Sequence, residues 1–286
     1  MDGSLTPVMA RRVLYDAGDL RVGRVVARPA SPGCMDVEAP GANVLAFPLR
    51  GVFARHPSPR RELIATANHV VAFPASQPYR VSFPGSIGDD VLVLQWSSEA
   101  LATKLPRADA RFLAMAASND LLEPGQMVRR SLLARRLARG EADPLEIEGL
   151  CAELLRSCLR IGEAQPEGPR AIEGVKEAVA LAPDRKWTLG ELAKIARMSP
   201  YHLAHVFRRE VGMPVYAYVL RLRLAQALSA VVDSDADITT IALDAGFASH
   251  SHFTLHFRTL FGVTPVALRR GAGPRPADLR KIVTAR

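Results

Sequence analysis

Histidine, cysteine and arginine are the side chains here whose spacing could do chemistry, and most of those spacings lead away from catalysis. His252 and His256 stand four apart in a helical stretch, so both lie on one face and could in principle hold a metal ion. The plainer reading puts one of them against the preceding turn and the other at the helix edge. His56 and His69 fall on different expected strands and offer two ligands at most, whereas catalytic metals usually take three or more from the protein. Cys34, Cys151 and Cys158 are odd in number and lack metal-like spacing, which fits buried thiols in a reducing compartment. No glycine-rich phosphate loop and no G-x-S-x-G elbow is present. Neither an enzyme nor a bound cofactor is expected.

The basic residues point elsewhere. Residues 170–286 carry 17 Lys+Arg against 10 Asp+Glu, while residues 1–169 carry 20 against 19. A basic region attached to a nearly neutral one suggests a polyanion partner for the basic end alone. A run of five arginines (Arg129, Arg130, Arg135, Arg136, Arg139) reads either as a nucleic-acid backbone contact or as a solvated helix face.

The elements that must position these groups fall into three regions of a 286-residue chain that is 48% hydrophobic and 23% charged, a globular composition. Residues 1–105 hold short apolar segments punctuated by Pro and Gly: Leu20–Ala27, Val44–Phe47, Gly51–His56, Leu63–Thr66, Val70–Phe73, Tyr79–Phe83 and Val91–Trp96. Many short strands at this spacing predict a sandwich, jelly roll or barrel. Residues 106–161 switch to helical period: Val128, Leu132, Leu133 and Leu137 form one stripe, and Ile147, Leu150, Cys151, Leu154, Leu155 and Cys158 another. The helix over Leu145–Ile161 is a candidate for homodimer contact, or for packing on the β region. Residues 162–169, polar with two Gly and two Pro, read as a linker. No apolar run approaches bilayer length and no apolar stretch follows the first basic residues, so neither a membrane span nor a signal peptide is expected.

Residues 188–214 and 238–265 repeat one another. Leu192 matches Ile241, Ala193 matches Ala242 and Ala196 matches Ala245. After one inserted residue, Ser199 matches Ser249, Leu203 matches Phe253, Phe207 matches Phe257 and Gly212 matches Gly262. Such a repeat implies one supersecondary unit built twice. Thr188 with Glu191 forms a capping box, Ser199 before Pro200 caps a second helix, and Gly212 ends it; Asp237, Ser249 and Gly262 do the same in the second copy. Leu189, Leu192, Ala193 and Ala196 are the expected inward stripe of the first helix. A spine helix from Pro214 to about Val232 joins the copies. Each copy is a helix-turn-helix, whose second helix enters a major groove with its N-terminal residues at the base edges. Adjacent grooves on one face of B-DNA lie ~34 Å apart. A spine of about 18 residues spans ~27 Å, enough to set two such helices in neighbouring grooves.

Residues 170–272 resemble the DNA-binding domain of the AraC/XylS family of bacterial regulators. Arg221-Leu-Arg-Leu-Ala225, Ile241-Ala242, Ala245-Gly-Phe247, Ser249, Ser251-His-Phe253, Phe257-Arg258 and Phe261-Gly-Val-Thr-Pro265 carry the likeness. The resemblance implies binding to double-stranded DNA beside a promoter, contact with RNA polymerase, and transcription activation in the cytoplasm at the nucleoid. It places Pro200, Tyr201, Ala204 and His205 at the bases in the first helix, and His250, Ser251, Thr254 and Leu255 in the second. Arg208 and Arg258, a turn further on, suit phosphates, with Arg209 beside them in the DNA-binding set. Ala204 and Leu255 cannot make bidentate bonds, though they can meet thymine methyls.

The N-terminal half is similar to the cupin-like sensor domains of many members, on Phe47-Pro-Leu-Arg-Gly-Val-Phe53, Asn68-His-Val-Val-Ala-Phe73 and Gln77-Pro-Tyr-Arg-Val81. That likeness implies a small-molecule effector, with Phe47, Phe53, His56, Phe73, Tyr79 and Trp96 as lining candidates. The aromatic ones also read as ordinary core. The other reading makes this half a dimerisation or protein-interaction module. The expected architecture is therefore α+β in two domains: an antiparallel, jelly-roll-like sheet over 1–105 with a helical extension over 106–161, the linker, an all-α domain with two helix-turn-helix units over 170–272, and a basic tail over 273–286.

Overall fold

The structure, a computed structural model, describes residues 8–29, 33–58, 61–104, 108–117, 119–141, 143–159 and 170–271. The expected linker and basic tail lie outside the described residues. Among the described residues eight strands form: β1 Val8–Asp16, β2 Leu20–Arg28, β3 Asn43–Ser58, β4 Arg61–Thr66, β5 His69–Phe73, β6 Arg80–Ser82, β7 Asp89–Trp96 and, beyond the first two helices, β8 Asp120–Leu121. All pairings are antiparallel, in the order β1-β2-β7-β3-β5-β8, with β4 and β6 also paired to β3.

Strand β3 is the hub, and it differs from expectation. The two segments Val44–Phe47 and Gly51–His56 are one strand of 16 residues running through Pro48. A register shift between Pro48 and Arg50 makes room for the proline, as bulges do. The shift also exchanges faces: Leu45, Phe47 and Leu49 point into the same core as Val52 and Ala54, while Val44, Ala46 and Phe53 face a second one. Gly51, expected to mark a turn, sits inside the strand at φ 74, where an added Cβ would stand 2.1 Å from the Gly88 carbonyl oxygen. β1 is a strand that periodicity did not reveal; it pairs with β2 from Val8 to Asp16.

The helices follow: α1 Ser98–Lys104, α2 Ala108–Ala116, α3 Pro124–Arg139, α4 Pro144–Leu159, α5 Arg170–Leu181, α6 Leu189–Ala196, α7 Pro200–Val211, α8 Val215–Asp233, α9 Ile238–Asp244, α10 His250–Phe261 and α11 Pro265–Arg269. The fold is thus an antiparallel sheet followed by helices. One continuous apolar core runs from the sheet through α3 and α4 into the C-terminal helices. In α4 the stripe Ile147, Cys151, Leu154, Leu155 and Cys158 is buried within the chain. That stripe is therefore packed on the chain's own core.

The arginine run on α3 is neither a free DNA contact nor a purely solvated face. Arg130 is fully buried and donates to the carbonyl oxygens of Pro48 and Ala67, both at 2.7 Å. Arg135 donates to the Arg269 carbonyl oxygen at 3.2 Å, Arg136 pairs with Glu146, and Arg129 and Arg139 lie 3.6 and 3.5 Å from Glu153 and Glu141. The guanidiniums are engaged with this chain's own carbonyls and carboxylates.

Helix α8 corrects a second expectation. It is 19 residues long with a mean hydropathy of 1.3, long and apolar enough to cross a membrane by length and composition. Yet 61% of that stretch is buried inside the protein, so its apolarity is that of a core helix. The C-terminal half also meets the sheet through a polar contact. Glu173 of α5 accepts the backbone N–H of Ile64 in β4 at 2.7 Å, and Lys176 donates to its other oxygen at 2.7 Å.

Candidate nucleic-acid interface

The two repeats fold as two copies of one unit. In the first, Thr188 Oγ1 accepts the Glu191 N–H at 3.2 Å, and Glu191 accepts the Thr188 N–H at 2.8 Å. These bonds, with Arg185 beside the carboxylate, hold the Glu191 carboxyl down at about 2. Leu192, Ala193 and Ala196 are buried, small enough at two positions for α7 to cross closely. Leu189, expected in that stripe, is exposed instead, because at the first helical position its side chain precedes the crossing. The helix ends on Arg197 in left-handed geometry, φ 53. Ser199 Oγ then accepts the His202 N–H at 3.2 Å, Pro200 opens α7, and Gly212 closes it at φ 77.

The second unit repeats this arrangement closely. Asp237 caps α9 by accepting the Thr239 N–H at 2.8 Å, Ser249 Oγ accepts the His252 N–H at 3.2 Å, and Gly262 closes α10 at φ 72. Leu203, Val206 and Phe207 in α7 correspond to Phe253, His256 and Phe257 in α10. Of these, all but His256 are buried. Each buried phenylalanine contributes roughly 1.5–3 kcal/mol of burial free energy, so the faces turned inward are fixed by packing and the opposite faces are fixed with them.

What those opposite faces carry is a mixture of polar and apolar side chains, most of them exposed. On α7, Pro200, Tyr201, His205, Arg208 and Arg209 are exposed and Ala204 is half-buried. On α10, His250, Ser251, Leu255 and Arg258 are exposed and Thr254 is half-buried. Tyr201 is 85% exposed and Leu255 63%, far more than aromatic or aliphatic side chains need to be. Arg209 is tied to Glu210 at 2.6 Å, whereas Arg208 and Arg258 have no ion pair among the described residues. All eleven expected contact residues therefore lie on the two outward helix faces.

One residue that holds the units together escaped the sequence reading of roles. Arg223, in the middle of α8, donates to the carbonyl oxygens of Pro183 (2.6 Å), Arg185 (2.8 Å), Asp184 (3.3 Å) and Gly246 (3.0 Å). Its fork thus grips the α5–α6 connection of the first unit and the α9–α10 turn of the second. Gly246 sits against the Asp184 backbone so closely that a Cβ would stand 2.8 Å from it, and its φ is 77. A charged residue in the spine of an apolar helix was the available signal. Arg221, two residues earlier, turns the other way and donates to the Leu122 carbonyl oxygen of the N-terminal half.

The candidate effector residues are not brought together. Phe47 and Trp96 lie in the large core shared with the helices, while Phe53, Phe73 and Tyr79 lie in the second core. Tyr79 stacks 4.5 Å from Phe73 and donates to Glu38 at 2.7 Å. His56 Nε2 is 2.8 Å from Ser82 Oγ and 3.8 Å from Cys34 Sγ. A cavity of about 270 Å³ lined by Asn43, Pro74, Gln77, Ser98 and Leu113 contains none of the six. His69 is buried in β5, where its Nδ1 accepts the Thr66 N–H at 3.1 Å, away from His56.

Two capped helix pairs on a shared spine, each with an exposed second helix, define a double helix-turn-helix. Residues 192–271 match the helix-turn-helix domain family. The chain is 34% identical over 36% of its length to the HTH-type transcriptional regulator GlxA of Rhizobium meliloti, and 27% identical over 32% to an uncharacterized HTH-type transcriptional regulator of Haemophilus influenzae. These matches cover 32% and 31% of the relatives, so the chain spans about a third of the length of the curated relatives it matches. A solved structure described as a probable AraC family transcriptional regulator from Rhodopseudomonas palustris is 27% identical, covering 37% of this chain and all of that one, with a TM-score of 0.34. The C-terminal half of the chain thus carries a helix-turn-helix domain.

Proposed function

We propose that the protein is a transcription regulator that reads two adjacent major-groove segments with α7 and α10 of a single chain. The observation that carries this reading is the pair of matched, outward-facing helices locked to one spine by Arg223. In this role Tyr201, His205, His250, Ser251 and Thr254 meet base edges, Pro200, Ala204 and Leu255 supply apolar contact to thymine methyls, and Arg208, Arg209 and Arg258 bind phosphate. So few long polar readers leave much of the affinity to phosphates and much of the selectivity to duplex shape. The reading extends to activation through RNA polymerase, to a cytoplasmic site of action, and to the division into a β region over 1–105, an extension over 106–161, a linker over 162–169, the DNA-binding domain over 170–272 and a basic tail. The β region acts as the sensor of a small-molecule effector.

Selection of bound fragments from random duplexes by the full chain tests it. Two short preferred patches about one helical turn apart are the expected result; a single patch, or no enrichment at low salt, overturns the reading. For the β region, a metabolite that raises the melting temperature with the logarithm of ligand excess supports sensing. A uniform blank across a broad panel removes it.

A further inference from the structure

The second unit carries a feature that the first lacks and that groove reading does not use. His252 and His256, one turn apart on α10, turn their rings edge to face with centroids 4.6 Å apart, and their Nε2 atoms lie 3.0 Å from each other. Two nitrogens bound to one ion at ~2.0–2.1 Å stand ~2.9 Å apart when the angle between them is square and ~3.4 Å when it is tetrahedral. The observed separation matches the square arrangement, and without an ion it is that of a hydrogen bond between the two rings, which a bound ion would replace. Both rings are half-exposed, so an ion can reach the nitrogens from solvent and complete its shell with water.

We propose that His252 and His256 form a two-ligand site for a divalent transition-metal ion of the copper(II) or nickel(II) class, on the flank of α10. Square or tetragonal nitrogen coordination selects these ions, and copper(II) stands highest in affinity among the first-row divalent ions. The site is a weak, exchangeable one. His252 Nδ1 is buried without a hydrogen-bond partner, and a ligand histidine lacking its outer partner gives up roughly 10- to 100-fold in affinity. A bound ion would staple the first turns of α10, whose N-terminus His250 and Ser251 share, and the site stands whether or not α10 reads DNA.

The repeat supplies an internal control. At the offset of 50 that relates α7 to α10, His202 corresponds to His252 but Val206 to His256. The first unit thus has half of the pair, with a buried valine in place of the second ligand. The test is a titration of the full chain with copper(II), read by electron paramagnetic resonance for nitrogen hyperfine structure. One ion per chain bound by two imidazole nitrogens is expected. His256→Val, which copies the first unit, and His256→Gln should each weaken that binding at least tenfold, as should His252→Gln. His202→Gln should leave it unchanged. Far-ultraviolet circular dichroism identifies a variant that has lost its helices, and the glutamine variants then carry the test. Equal copper affinity in wild type and either His256 variant, or a spectrum without paired nitrogens, overturns the proposal.

Discussion

The two helix-turn-helix units reach the same shape by different local means, and the difference shows where the molecule stores its interunit geometry. In the first unit the turn begins at Arg197, a side-chain-bearing residue in left-handed conformation at φ 53. In the second the turn holds one more residue and passes through Gly246, whose bare Cα lies against the backbone of Asp184 in the loop before the first unit. The first turn only reverses the chain. The second also serves as the seat on which the other unit rests, and Arg223 bonds both sides of that seat.

The sharpest way to break the comparison is to exchange the residue at each turn's special position. Gly246→Ala should cost about 2–5 kcal/mol, since it adds left-handed strain to a backbone overlap. Arg197→Gly exchanges mild strain relief for chain entropy and should leave stability within about 0.5 kcal/mol. Thermal melts of the two variants check this, and equal effects would mean that the second turn is no seat. Next in size is Arg223→Leu, which deprives four carbonyls of one donor and should cost about 1–2 kcal/mol. Its diagnostic effect is on DNA: affinity for a duplex with both patches should fall at least tenfold while affinity for either patch alone holds. Smaller again, Arg208→Ala and Arg258→Ala should each lower the salt slope of binding by ~0.9 and weaken all sequences alike. A change of sequence preference without a change of slope would reassign those residues to base contact.

The smallest effect lies in the caps. Glu191 is held at about 2 in the folded chain, chiefly by the Thr188 N–H, against an ordinary 4.5. A carboxylate depressed in this way supports folding fully above pH ~4.5 and loses that support as pH falls towards 2. Asp237 is also lowered, by its bonds to Thr239, but from 3.8. The first cap's contribution should therefore fade as pH falls from about 4.5 towards 2. Acid titration followed at the Thr188 amide reads that transition, and Glu191→Gln should remove it.

Much of this was legible in the sequence, for a physical reason. The caps, the paired serines, the terminal glycines and the phenylalanine stripes are local signals, each set by bonds or packing within a dozen residues, and the structure places them as expected. The face of each groove helix follows, because burying Phe207 or Phe257 leaves Arg208 or Arg258 outside. What was not legible depends on distant partners. Arg130 looked like a surface arginine because Pro48 and Ala67 are far away in sequence. Arg223 looked like part of a motif with no stated task because its four acceptors lie in two separate loops. β1 carries no alternation, and the aromatic residues of the β region gave no hint that the bulge at Pro48 divides them between two cores. A strand that exchanges its faces midway defeats any count of odd and even positions.

The contact between Glu173 and Ile64 has a consequence of its own. Successive N–H groups along a strand point to alternate sides. β4 is hydrogen-bonded to β3 along one edge, so only every second residue offers a donor to a carboxylate waiting on the other. Sliding β4 by a single position would strand that carboxylate, buried beside Lys176, without its donor. One helix side chain of the C-terminal half therefore indexes the hairpin beneath it like a pawl in a toothed rack, permitting travel in steps of two residues and none between.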